Sequence, residues 1–228
     1  MRLVRVKNYG AMSKIASDIL LDEISVKPNL VIGFATGKTQ LGFYKNLVKS
    51  KADFSKAKSF NLDEYYPIKK TNKKSLYYYM EKNFFRKVNM KKLNINFLNG
   101  DSKNLKKEFE RYESKIKKNL IDIQFLGLGT NGHIAYNEPG SKYGSKTRLV
   151  ELTPTTTKNK KGQKQGLSMG IKTIMSAKKI ILLASGKDKA KAVKGLIKGK
   201  IGGNCPASFL RKHKNVTIII DKKAGVLL

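Results

Sequence analysis

The sequence predicts a doubly wound, Rossmann-like α/β protein: a mostly parallel sheet with helices on both faces. Three observations carry this expectation. Short apolar runs recur along the chain, among them Leu30–Phe34, Ile121–Leu126, Lys179–Ala184 and Val216–Ile220. They have the near-continuous character of strands covered on both faces. Between them lie longer stretches whose apolar residues recur every three or four positions, as on one face of a helix. Several strand-like runs also end in polar, glycine-containing turns, where sheets of this kind hold their ligands.

In chain order, the first helix begins after Tyr9 and places Met12, Ile15, Ala16, Ile19 and Leu20 on one face. The strand Leu30–Phe34 leads through a Gly/Thr loop into a helix carrying Leu41, Tyr44 and Leu47. A second strand, Ala57–Leu62, ends at Asp63. Ser75–Phe85 reads as a helix and Ile95–Leu98 as a short strand. The clearest helical period is Leu105, Phe109, Tyr112, Ile116 and Leu120, followed by the strand Ile121–Leu126 and the turn Gly127-Leu128-Gly129. Arg148–Leu152, Lys179–Ala184 and Val216–Ile220 read as later strands, with helices around Asp188–Ile197 and Pro206–Lys212. No internal repeat or Pro/Gly/Ser-rich linker divides the 228 residues, so one domain over 1–228 is expected.

Charge and composition narrow the class of partner. Forty-eight Lys and Arg against 16 Asp and Glu give +32. The lysines are spread along the whole chain rather than gathered in a tail, which reads as a solvated surface and not as a specific nucleic-acid footprint. No apolar run is long enough to cross a bilayer, and no signal-peptide core follows Met1–Val6. A single cysteine, Cys205, allows no disulfide within the chain. The expectation is a cytoplasmic protein without membrane association. One cysteine and two distant histidines do not make a zinc set, so no metal and no cofactor are expected.

Three strand ends carry the candidate chemistry. Gly33-Phe34-Ala35-Thr36-Gly37-Lys38-Thr39 offers amides, hydroxyls and a helix start to an anion. Its glycines enclose three residues, not the four of a nucleotide-binding P-loop, which favours a sugar phosphate over ATP or GTP. Asp63 in Phe60-Asn61-Leu62-Asp63-Glu64 is a carboxylate at a strand end in an acid-poor chain. It is either a general base or a helix cap. His133 in Gly129-Thr130-Asn131-Gly132-His133, with Glu138 five residues on, is an acid–base candidate whose tautomer a carboxylate would fix. His213 reads as a surface residue, and Cys205 as a small buried one.

With these segments in view, the chain resembles the glucosamine-6-phosphate deaminase family over nearly its full length. TGKTQLGFY, FNLDEYYP, LGLGTNGHIAYNEPG, LSMGIKTIMSAKK and NCPASFLRKH occur in the family's order. The resemblance implies conversion of glucosamine 6-phosphate to fructose 6-phosphate and ammonia. It implies Asp63 as the base between carbon-2 and carbon-1, His133 as the ring-opening residue and Glu138 as its orienting partner. Thr36, Gly37, Lys38 and Thr39 would form the phosphate loop, and Lys189 would supply a phosphate cation. The implied partner is therefore a phosphorylated amino sugar, and a homo-oligomer is compatible with the family.

Departures from the family pattern are visible too. Asn131, counted among the catalytic residues, stands where some members place an aspartate and can still hydrogen-bond the imidazole without supplying charge; Lys38 stands where a second glycine is common. The stretch Thr155–Gly166 is shorter than the family's loop and lacks its arginine, leaving Lys160 or Lys161 to compensate as point charges. The chain ends soon after VTIIID, and the expectation is an enzyme without N-acetylglucosamine-6-phosphate activation. The competing readings are a phosphosugar isomerase or lactonase on the same scaffold, a non-catalytic phosphosugar sensor, and a nucleic-acid binder.

Overall fold

The computed structural model describes residues 1–153 and 164–228. The chain opens with the edge strand β1 (Arg2–Val6) and the long helix α1 (Tyr9–Val26), then β2 (Val31–Phe34), α2 (Leu41–Ser50) and β3 (Lys58–Asn61). Next come β4 (Asp63–Tyr66), α3 (Leu76–Asn83), β5 (Ile95–Asn96), α4 (Leu105–Lys118) and β6 (Ile123–Gly127). The remainder comprises β7 (Arg148–Glu151), β8 (Gln165–Ser168), the short α5 (Ile171–Ile174), β9 (Lys179–Ala184), α6 (Ala190–Lys198) and β10 (Val216–Asp221). The long helices start where a side chain takes up an orphan amide: Asn8 accepts from Ala11, Ser75 from Tyr78 and Asn104 from Lys107.

Seven strands form a parallel sheet in the order β1-β10-β9-β6-β2-β3-β5. Alternate side chains supply two cores. Ile32, Phe34, Phe125, Ile181 and Leu183 pack under α1, α2 and α3 with Leu20, Phe43 and Phe84. Val31, Leu126, Ile180 and Leu182 face the other way, against Tyr112, Ile116, Val193 and Leu196 of α4 and α6. This is the expected doubly wound, mostly parallel arrangement with helices on both faces.

Four features differ from the sequence expectation. Arg148–Leu152 forms a strand, but not in the main sheet: β7 pairs antiparallel with β8, which pairs antiparallel with β4, giving a separate three-stranded sheet in the order β4-β8-β7. The alternation of a short strand does not reveal which partner it meets. Gln165 and Gly166, expected in a lysine-rich loop, belong to β8, while Lys160 and Lys161 lie outside the described residues. Pro206–Lys212 is a 3-10 helix. His213, expected at the surface, is half-buried and bonds the carbonyl of Ala177 at 2.7 Å.

Asp122 staples the sheet at the edge away from the site. One oxygen accepts from the Val31 amide at 2.9 Å and Lys27 at 2.6 Å, and the other accepts from Lys178 at 2.9 Å. Burial pushes its pKa up, but bonds from Lys178, Lys27 and Val31 win and hold it below the ordinary 3.8. A carboxyl depressed in the folded state adds stability above its unfolded value and loses it as pH falls through the folded one. The melting temperature is therefore expected to drop as the medium is acidified below 3.8, and to drop less steeply in Asp122→Asn. Parallel acid limbs for the two proteins would contradict this.

Candidate active site

The chain leaves β2 toward β3 on one side and returns to β6 on the other, so the strand order reverses between β2 and β6. At such a point the connecting loops diverge and leave a crevice beyond the carboxyl ends of the strands. A cleft of about 610 Å³ lies there. It is lined by seven of the residues singled out from sequence: Thr36, Gly37, Lys38, Thr39, Asp63, His133 and Lys189. Asn131 and Glu138 are not among the lining residues and act from behind His133.

The first wall is the loop after β2. Gly37 has φ of +111°, a conformation costly for any residue with a Cβ, although nothing would crowd one there. The backbone then enters a 3-10 turn, Lys38–Gln40, that runs directly into α2. The first amides of such a turn have no partner within it and are available to an anion.

The second wall is Asp63. Adjacent residues of a strand face opposite ways, and β4 uses this to separate its two acids. Asp63 and Tyr65 line the cleft, Asp63 with 6% of its surface exposed. Glu64 turns to the other side and caps α3. Its oxygens accept from the Ser75 hydroxyl at 2.7 Å and the amides of Tyr65, Leu76 and Tyr77 at 2.8, 2.8 and 2.9 Å. The capping role, one of the two alternatives the sequence offered for Asp63, thus falls to Glu64 and leaves Asp63 lining the cleft.

The third wall is His133. Gly129 is required beneath it, because a Cβ there would stand 2.3 Å from Nδ1. The sequence reading gave the imidazole two partners, Glu138 and Asn131, and both are beside it; Glu138 Oε2 is 3.4 Å from Nδ1. Asn131 makes the closer bond: its Oδ1 is 2.8 Å from His133 Nδ1, and its Nδ2 donates to Glu138 Oε2 at 2.7 Å. Two further facts fix this amide orientation. The His133 backbone N–H also donates to Oδ1, at 3.2 Å, and the carboxylate needs a donor. An acceptor facing Nδ1 places the proton of neutral His133 there and leaves Nε2 to exchange a proton with a ligand. Ala135, two residues on, has φ of +51°, so this segment carries backbone strain beside the imidazole.

Two cleft residues escaped the sequence reading. Tyr65 and Tyr136 are hydrogen-bonded through their hydroxyls, with ring centroids 5.8 Å apart. Burial, and then the charge of Asp63, push the Tyr136 phenol far up, so it stays protonated. The position of Tyr65 two residues after Asp63 was the available signal.

The fourth wall copies the first. Ala184-Ser185-Gly186-Lys187 repeats Ala35-Thr36-Gly37-Lys38, with φ of +100° at Gly186, a 3-10 turn over Lys187–Lys189 and then α6. Both units continue into a parallel neighbour, β3 or β10. Counting on from Phe34↔Asn61 and Ala184↔Ile220 sets Thr36 level with Asp63 and Ser185 level with Asp221. Asp221 accepts from the Ser185 hydroxyl at 2.6 Å and the Gly186 amide at 3.2 Å, closing its own loop. Its counterpart Asp63 lines the cleft instead. Lys189 emerges from the closed loop; burial lowers its pKa from 10.5, against the opposing pull of Asp188 at 3.7 Å.

The arrangement brings loop amides suited to an anion, a lysine, a carboxylate and an imidazole with a bonded Nδ1 to one cleft. Among the described residues, no group of three His, Cys, Asp or Glu is placed to hold a metal ion, and no helix is long and apolar enough to cross a membrane.

Residues 10–219 match the family of glucosamine-6-phosphate isomerases and 6-phosphogluconolactonases. A glucosamine-6-phosphate deaminase of Clostridium novyi is 47% identical, the match covering 99% of each chain. That of Clostridium acetobutylicum is 46% identical over 100% of each. A solved monomeric glucosamine-6-phosphate deaminase superposes over 100% of both chains with a TM-score of 0.97 and 37% identity. The 6-phosphogluconolactonase of Leishmania guyanensis, 21% identical, covers 98% of this chain and 97% of its own with a TM-score of 0.81, which shows the shared fold.

The Asn131 bridge has a direct spectroscopic consequence. In nitrogen-15 spectra above the imidazole titration, neutral His133 is expected as the Nδ1–H tautomer. Asn131→Leu is expected to release it toward a tautomer mixture. A wild-type Nε2–H form would contradict the bridge.

Proposed function

The chain belongs to the glucosamine-6-phosphate isomerase/6-phosphogluconolactonase family, and we propose that within it the chain is a deaminating isomerase that converts glucosamine 6-phosphate and water to fructose 6-phosphate and ammonia. The observation that carries this reading is Asp63, a carboxylate lining the same cleft as His133, whose Nδ1 is occupied by Asn131. An aldose-to-ketose shift needs one base that moves a proton between adjacent carbons and one acid that opens the ring; it needs no redox step.

The phosphate sits on the amides and hydroxyls of Thr36–Thr39 and on Lys189. Protonated His133 gives a proton from Nε2 to the ring oxygen, and the sugar opens to its aldehyde. Glu138, acting through Asn131, stabilises the charged imidazole. Asp63 removes the carbon-2 proton as the carbonyl oxygen at carbon-1 gains one, giving an enolamine. Returning the proton to carbon-1 leaves a protonated imine at carbon-2. Water adds to that carbon, and the resulting carbinolamine expels ammonia to leave the ketone. Tyr65 and Tyr136, neutral phenols beside Asp63, present hydrogen-bonding groups without adding charge. The proposed site of action is the cytoplasm.

The test is ammonia release from glucosamine 6-phosphate, coupled to detection of fructose 6-phosphate. Asp63→Asn is expected to lower kcat by about 10²–10⁴-fold with KM little changed. An active Asp63→Asn enzyme would remove Asp63 from its role, and a well-folded wild type releasing no ammonia would return the lactonase or sensor readings. Lys189 sets an alkaline limit. Its depressed pKa means the cation is lost at lower pH than for a free lysine, so phosphosugar affinity should weaken as pH rises toward 10.5. In Lys189→Arg that weakening should disappear, because the guanidinium keeps its proton. Identical alkaline profiles would contradict it.

A further inference from the structure

We infer that Tyr79, with Tyr9, is a positioning residue for phosphate recognition: the two phenols grip the carbonyls of the Thr36–Thr39 loop from behind and so aim its amides into the cleft. The inference rests on that loop being the phosphate site proposed above. Neither tyrosine lines the cleft. Tyr79 donates its hydroxyl proton to the Gly37 carbonyl at 2.8 Å, and Tyr9 donates to the Lys38 carbonyl at 3.1 Å. Tyr9 in turn accepts from the Gly42 amide at 2.7 Å, which fixes its hydroxyl.

The grip acts through peptide geometry. In a planar trans peptide the N–H points opposite to the C=O before it. Holding the Gly37 oxygen therefore aims the Lys38 amide the other way, and holding the Lys38 oxygen aims that of Thr39. The same two carbonyls also accept the turn's own bonds, Gly37 from Gln40 at 3.1 Å and Lys38 from Leu41. Each carbonyl thus has both lone pairs engaged. A carbonyl rotated toward the cleft would meet a phosphate with its negative end.

The matching loop at Ser185–Lys189 shows what the phenols replace. There an internal carboxylate, Asp221, holds the loop by its donor side and takes up the Ser185 hydroxyl and the Gly186 amide. A loop secured in that way keeps its shape but offers fewer donors. The Thr36–Thr39 loop is secured by its acceptor side, which leaves its donors for a ligand. Tyr79 is suited to the task because burial raises its pKa, so it remains a donor throughout the neutral range. It also stands on α3, whose first turn is capped by Glu64, the neighbour of Asp63. The grip therefore ties the phosphate end of the cleft to the strand that carries the carboxylate.

The test measures competitive inhibition by inorganic phosphate together with KM and kcat for glucosamine 6-phosphate. It uses the wild type, Tyr79→Phe, Tyr9→Phe and, as a control for hydroxyl loss on the same helix, Tyr78→Phe. Tyr79→Phe is expected to weaken phosphate inhibition and raise KM in parallel by about three- to ten-fold, the worth of one such hydrogen bond, with kcat far less affected. Tyr9→Phe should move both in the same direction, and Tyr78→Phe should move neither. Should Tyr79→Phe fail to fold, Tyr9→Phe reads the same grip. Unchanged phosphate inhibition in the folded variants, or a loss confined to kcat, would overturn the inference while leaving the loop as the phosphate site. A wild type that phosphate does not inhibit would overturn the loop reading itself.

Discussion

The capture of the α3 N-terminus by Glu64 is the interaction on which the site's geometry depends. A carboxylate only 2% exposed must find donors, and Glu64 finds them in a hydroxyl and three backbone amides. Burial still raises its pKa in spite of those bonds, so the contact is a tightly enclosed one. Because β4 alternates, fixing Glu64 on one side fixes Asp63 and Tyr65 on the other. Because Glu64 holds the first amides of α3, the same contact places Tyr79, one turn further on, against Gly37. The carboxylate and the anion loop are thus referred to a single anchor.

The two halves of the cleft solve the same local problem in opposite ways. Each unit has a strand, a Thr/Ser-Gly-Lys turn with a left-handed glycine, a helix and a parallel neighbour with an aspartate at or just beyond its end. In the β9–β10 unit the aspartate is consumed in holding the turn, and the product of that arrangement is a rigid mount for Lys189. In the β2–β3 unit the aspartate lines the cleft, and tyrosines from outside the unit do the holding. The histidine segment follows a similar economy. Asn131 serves both His133 and Glu138, so an uncharged amide transmits the carboxylate's influence without adding a second negative charge beside Asp63. In a chain of +32, a phosphate enters a favourable field wherever it approaches, and in the proposed reading the loop amides rather than net charge decide where it stops.

Much of this was legible in the sequence. The parallel sheet followed from the apolar runs, and the cleft from the polar strand ends, because both depend on local pattern. Asp63, His133 and the Thr36–Thr39 loop stood out as polar groups at the ends of buried strands. What escaped depends on long-range pairing. The antiparallel sheet sets β8 against β4, about a hundred residues before it, and nothing in the short run at Arg148 announces that it joins β8 there rather than the main sheet. The division of labour between Asp63 and Glu64 needs the register of β4, which no composition supplies. The contact of Asn131 with the imidazole was legible too, but its simultaneous bond to Glu138 needed the backbone of the glycine turn. The kinship of the two loops was present as Ala-Thr-Gly-Lys and Ala-Ser-Gly-Lys, but four residues are too few to register as a repeat without their backbone angles.

The central claim is that the cleft holds a phosphorylated amino sugar with its phosphate on one loop and its first two carbons at Asp63. A crystal structure with the open-chain 2-amino-2-deoxyhexitol 6-phosphate, which lacks the carbonyl and cannot react, measures this directly. The phosphate is expected on the amides of Lys38 and Thr39 and on Lys189. Carbon-1 and carbon-2 should then lie within about 3–3.5 Å of an Asp63 oxygen, and His133 Nε2 should face the oxygen on carbon-5. A phosphate bound away from the loop, or a chain reversed so that Asp63 meets the phosphorylated end, would contradict the account.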